Sequence, residues 1–76
     1  MEAFEMGQII AKRRIDLRLD QLDLSEMAGI TVKTLYLIEK GIGNPSLNTL
    51  NKVLVLLGLT IQVEIKKLIN ERGSLQ

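Results

Sequence analysis

Hydrophobic residues recur at helical spacing through most of the chain and switch to alternation near its end. Met6, Ile10, Arg14 and Leu17 share one face of a helix predicted over residues 4–17. Arg14 stands on that face where an apolar residue belongs, and Leu19 follows toward the same core. A second helix begins at Asp20, which can cap it with Asp23 as the reciprocal carboxylate; Leu24, Met27 and Ala28 point inward and Gly29 ends it. Ile30 sits in the turn. Thr31 then caps a third helix that runs to Glu39 or Lys40, with Leu35 and Ile38 on its inner face and Gly41 as its stop. Residues 41–46, GIGNPS, carry turn chemistry and no period. Ser46 caps a fourth helix with Leu47, Leu50, Val53, Leu54 and Leu57 inward, and Gly58 closes it. Val55 and Leu56 widen its apolar arc beyond the needs of one small core, which suggests a partner.

Beyond Gly58 the period changes to two. Ile61, Val63 and Ile65 alternate with Gln62, Glu64 and Lys66, which predicts a strand over about 60–66. A helical reading, with Ile61, Ile65, Leu68 and Ile69 on one face, competes with it, but Val63 spoils that face. A lone strand leaves its backbone groups unpaired, and no second strand pattern exists in the chain. The simplest partner is the same segment of a second copy, antiparallel across a two-fold axis. Leu57, Leu59, Ile61, Val63 and Ile65 are therefore the expected homodimer interface. Residues 70–76 are expected to fray.

The second and third predicted helices, joined by a tight turn, form a helix-turn-helix pattern. Their residues carry a family resemblance: Gln21 opening the first, Leu24 and Ala28-Gly29 before the turn, then Thr34-Leu35, Ile38-Glu39 and Gly41. Arg13-Arg14 and GNPSLNTL at 43–50 extend it over about residues 6–58. In these positions the chain resembles the Xre/Cro-like helix-turn-helix regulators. With its strand-like tail, it is similar to their HipB-type antitoxin branch. The chain departs from the family at Asp20, where Thr or Ser is usual, at Arg18 (Gly) and Ser25 (Ala), and at Tyr36 and Leu37 (commonly Ser and Arg). The resemblance implies an all-α, lambda-repressor-like domain of four to five short helices. It also implies an ion pair between Arg14 and Glu39; independently, a carboxylate in the last turn of one helix and a cation on the apolar face of another each lack a rationale unless they meet.

Composition narrows the chemistry. At 76 residues the chain is one small domain, with a core over about 4–58. It has no cysteine and no histidine, so no disulfide, no thiolate metal site and no histidine base. No enzyme site assembles. Asp16, Asp20, Asp23 and Glu26 lack the spacing of a metal loop, and the glycines at 41–43 follow a helix rather than a strand. No cofactor is expected. The acidic start does not suit a secretory leader, and the apolar run at 53–59 is too short for a membrane span, so a cytoplasmic location is expected. The net charge of +1 is low for a nucleic-acid binder, although Lys12, Arg13, Arg14 and Arg18 cluster against Asp16 alone.

The expected function is sequence-specific binding of double-stranded DNA at an inverted-repeat operator, as a repressor. Matching to the family places Val32, Lys33, Tyr36 and Leu37 at base-reading positions of the third helix. Lys33 can donate to guanine, whereas Val32 and Leu37 can only pack on thymine methyls. Tyr36 can do either or bind a phosphate, and both Tyr36 and Leu37 can equally serve the core. Gln21, Thr34, Lys40 and Asn44 are candidate backbone contacts. The HipB likeness implies an antitoxin paired with a HipA-like kinase toxin. A protein-interaction module that keeps the fold without specific DNA binding is the competing expectation, and a small structural dimer a third.

Overall fold

The computed structural model describes residues 1–65, 68–70 and 73–75. Its helices are α1 (Ala3–Asp16), α2 (Gln21–Ala28), α3 (Val32–Lys40) and α4 (Leu47–Leu56), and its strands are β1 (Leu68–Asn70) and β2 (Gly73–Leu75). The helix ends obey the local chemistry. Asp20 Oδ1 accepts from the Asp23 amide at 2.7 Å, and the Asp23 carboxylate accepts from the Asp20 amide at 3.3 Å. Thr31 and Ser46 accept from the amides of Thr34 and Thr49, each at 3.1 Å. Gly29 and Gly41 leave their helices in the left-handed region, with φ of 70° and 71°.

α3 packs against α1 and α2, and α4 against α2. Ile10, Leu24, Ala28, Leu35, Ile38, Val53, Leu54 and Leu57 form the buried core, flanked by Met6, Leu19, Ile30, Leu50, Leu56 and Leu59. α1 reaches α3 through Gly7. A Cβ there would sit 2.5 Å from the Ile38 carbonyl oxygen and 2.7 Å from the Glu39 carbonyl carbon, so the two backbones meet with no side chain between them. At its other end α1 holds α4: Arg13 Nε donates to the Leu57 carbonyl at 2.8 Å, satisfying an acceptor that the helix terminus leaves open.

Several inward residues expected from spacing lie elsewhere. Met27 is 54% exposed while Ser25 is buried. The buried stripe of α2 runs from Leu24 to Ala28 and spreads toward Ser25, and Met27 falls on the opposite side of Leu24. The Ser25 hydroxyl is satisfied by donating to the Leu22 carbonyl at 2.9 Å. Leu17 caps α1 where the chain leaves the helix, so it is exposed and Leu19 takes its place against the core. Leu47 is exposed because burial deepens along α4, from half-buried Leu50 to Val53 and Leu54. Leu57, expected at a partner interface, is 1% exposed and belongs to the chain's own core.

The C-terminal segment also differs from expectation. Residues 60–65 adopt no strand, because no described segment pairs with them; Lys66 lies outside the described residues. β1 and β2 instead pair with each other, antiparallel, matching Leu68 with Leu75, Ile69 with Ser74 and Asn70 with Gly73. Asn70 and Gly73 bracket a two-residue connection, turn chemistry that the expectation of a frayed tail over 70–76 overlooked. Among the described residues no helix is long and apolar enough to cross a membrane.

Candidate nucleic-acid interface

α3 buries Leu35, Ile38 and Glu39 and turns Val32, Lys33, Tyr36 and Lys40 outward. Its start is held by Thr31, whose hydroxyl also donates to Thr34 Oγ1 at 2.9 Å. This keeps half-buried Thr34 in the cap, while Val32 (39% exposed) and Lys33 project from the first turn. Tyr36 is on the surface, 46% exposed, with the Lys40 ammonium 5.6 Å from its ring centroid. Residues i and i+4 of a helix are neighbours, and an aromatic face attracts a cation. Leu37 is half-buried and leans the other way, sharing a groove with Thr34, Ile42 and exposed Asn44.

Behind this surface lies a polar network that joins three helices. Arg14 Nε donates to Glu39 Oε2 at 2.7 Å and Arg14 Nη2 to Glu39 Oε1 at 3.0 Å, a bidentate pair. Arg14 Nη1 donates to the Leu19 carbonyl at 2.8 Å, and Gln21 Nε2 to Glu39 Oε1 at 3.0 Å. The side chains of Arg14 and Glu39 are 12% and 6% exposed. The hydrogen bond to Glu39 holds the Arg14 guanidinium above its ordinary pKa, so it stays charged. Gln21, expected as a backbone contact, is therefore half-buried at the start of α2 with one amide proton committed inward. A primary amide has a second N–H, and that one is unspent.

The structure thus brings Gln21, Tyr36 and Lys40 to one cleft, Thr34, Leu37 and Asn44 to a neighbouring groove, and Val32 and Lys33 to the exposed start of α3. It also reassigns the basic cluster near the end of α1. Lys12 pairs with Asp16 at 3.0 Å, Arg13 caps α4 and Arg14 is internal. Sequence spacing cannot show these uses, because two of the three partners lie in distant segments. Arg13 and Gly7 are the structural residues that reasoning from periodicity misses. A glycine inside a helical pattern is the signal that could have marked the second.

Comparison with known proteins places this geometry. A helix-turn-helix family model, HTH_3, matches residues 10–63. The restriction-modification controller protein C.AhdI from Aeromonas hydrophila superposes with a TM-score of 0.71 at 24% identity, over 76% of this chain and 88% of that one. SinR, described as the master regulator for biofilm formation and solved in complex with DNA, superposes with a TM-score of 0.66 at 32% identity, over 72% of this chain and 89% of that one. In the SinR/SinI complex the values are 0.67 and 32%, over 72% of this chain and 54% of that one. No curated protein sequence matches.

Proposed function

The chain belongs to the helix-turn-helix family of DNA-binding transcriptional regulators, and on that premise we propose that it is a cytoplasmic repressor that binds an inverted-repeat operator as a homodimer. The observation that carries this reading is the outward start of α3: a capped helix terminus presenting Val32 and Lys33, free of packing duties. A helix inserted by its N-terminal end brings such residues to base edges in the major groove. Lys33 supplies the hydrogen-bonded readout and Val32, with the exposed edge of Leu37, the apolar contacts. Gln21, Thr34, Lys40 and Asn44 contact the backbone, which positions the helix without specifying sequence. Dimerisation uses the exposed alternation of Ile61, Val63 and Ile65, with half-buried Leu59 beside it.

Titration against a duplex selected from random-sequence DNA and against a scrambled duplex tests this. Lys33→Ala is expected to weaken the selected duplex by about 1–3 kcal/mol and the scrambled one much less. Equal losses on both would make Lys33 a phosphate contact, and absence of salt-dependent binding to either would remove DNA as the ligand. The finer reading, an antitoxin of the HipB type beside a HipA-like kinase toxin, rests on resemblance, and a kinase-like reading frame next to this one is its test. One observation favours the interaction-module reading. Lys12, Arg13 and Arg14 all have partners within the chain, which leaves fewer cations for phosphates than the sequence suggests.

A further inference from the structure

A cleft of about 500 Å³ opens beside α3, bounded by the outer face of α1 and the start of α2. Gln8, Gln21, Tyr36 and Lys40 line it, over a floor made by the Arg14–Glu39 pair. The floor does not repel an anion. Glu39 Oε2 already accepts from Arg14, and Oε1 accepts from both Arg14 and Gln21. The lining is rich in donors: the Lys40 ammonium, the Tyr36 hydroxyl, the second amide proton of Gln21 and the amide of Gln8. The Lys40 ammonium also faces the Tyr36 ring, so these two side chains occupy the cleft together.

A cleft with one cation, several neutral donors and a neutralised floor suits a group that carries a single negative charge on two accessible oxygens. A phosphodiester of a nucleic-acid backbone is such a group. Resting on the DNA-binding reading above, we infer that Gln8, Gln21, Tyr36 and Lys40 form one seat for a backbone phosphate. Tyr36 then anchors the helix rather than reading bases, and α1 contributes a DNA contact through Gln8 from outside the two motif helices. Val32 and Lys33 lie in the first turn of α3 and do not line this cleft, so reading and anchoring separate along the helix.

The test uses the full chain and the selected and scrambled duplexes. Tyr36→Phe, Lys40→Gln and Gln8→Ala are each expected to weaken both duplexes by the same factor, about three- to tenfold. Lys40→Gln should lower the slope of log affinity against log salt by about one, and Tyr36→Phe should leave it unchanged. A scan that replaces single phosphates of the selected duplex by neutral methylphosphonates should find one position that costs the wild type affinity and costs Lys40→Gln nothing further. Loss confined to the selected duplex in Tyr36→Phe would make Tyr36 a base reader and overturn the seat. So would a methylphosphonate profile identical in wild type and Lys40→Gln. In both cases Lys33→Ala would still reduce discrimination, and the DNA-binding reading would stand. Wild-type protein that binds neither duplex refutes that reading and the seat with it.

Discussion

Gly7 of α1 lies against the carbonyl of Glu39 at the end of α3, and the space between them admits no side chain. Nearby, Gly41 combines a φ of +71° with a site where a Cβ would come within 2.6 Å of Phe4 Cα. The α1–α3 crossing is thus set by backbone contact at two glycines. Gly7→Ala would gain about 1 kcal/mol of helix propensity. It would lose more than that by forcing two helices apart, an overpacking cost of about 1–3 kcal/mol or above. The net expectation in urea unfolding is a lower midpoint with unchanged slope. A variant as stable as wild type would mean that the helices separate without cost.

The Arg14–Glu39 pair is almost wholly buried, so removing one partner strands the other. Arg14→Ala and Glu39→Ala should each cost about 3–5 kcal/mol. Gln21→Ala removes one hydrogen bond from Glu39 while leaving the ion pair, and should cost about 1 kcal/mol. Thermal unfolding of the three variants checks the order. If both members of the pair melt like wild type, the network is not holding the helices together.

Arg18 adopts φ of 60°, among the described residues the one position outside glycine in the left-handed region. A side chain there costs about 1–2 kcal/mol, part of which glycine returns through its freer unfolded state. Arg18→Gly is expected to raise stability by up to about 1 kcal/mol. A lower midpoint in chemical unfolding would count against strain at this turn. The conformation also explains the family's preference for glycine at this position.

Val63 and Ile65 are 96% and 82% exposed, and neither supports the core of its own chain. Val63→Asp should convert a dimer to a monomer in sedimentation while leaving the helical content intact. Wild-type protein that sediments as a monomer at high micromolar concentration would defeat the dimer. Such a result would shift attention to the exposed Val55 on α4.

The helices were legible because their ends are written in single residues. Asp20, Thr31 and Ser46 cap, and Gly29 and Gly41 stop, through local chemistry that needs no tertiary partner. Arg14 and Glu39 could be matched because each was out of place alone. Met27, Leu17 and Leu47 were misassigned for one shared reason. Spacing tells which residues share a face, but only the packed neighbour decides how wide the buried part is. The roles of Gln21 and Arg13 were hidden in another way, since each donates to an acceptor more than a dozen residues away. The hairpin of residues 68–70 and 73–75 has strands too short to show a period.

Glu39 receives hydrogen bonds from α1 and from the first residue of α2 while belonging to α3. The start of α3 and the Gln21 anchor therefore sit at a set separation, like the jaws of a fixed gauge. A rigid gauge cannot widen or narrow to suit a duplex, so adjustment falls to the DNA. Base pairs between the two points of contact, touched by neither, would then influence affinity through their stiffness and groove width.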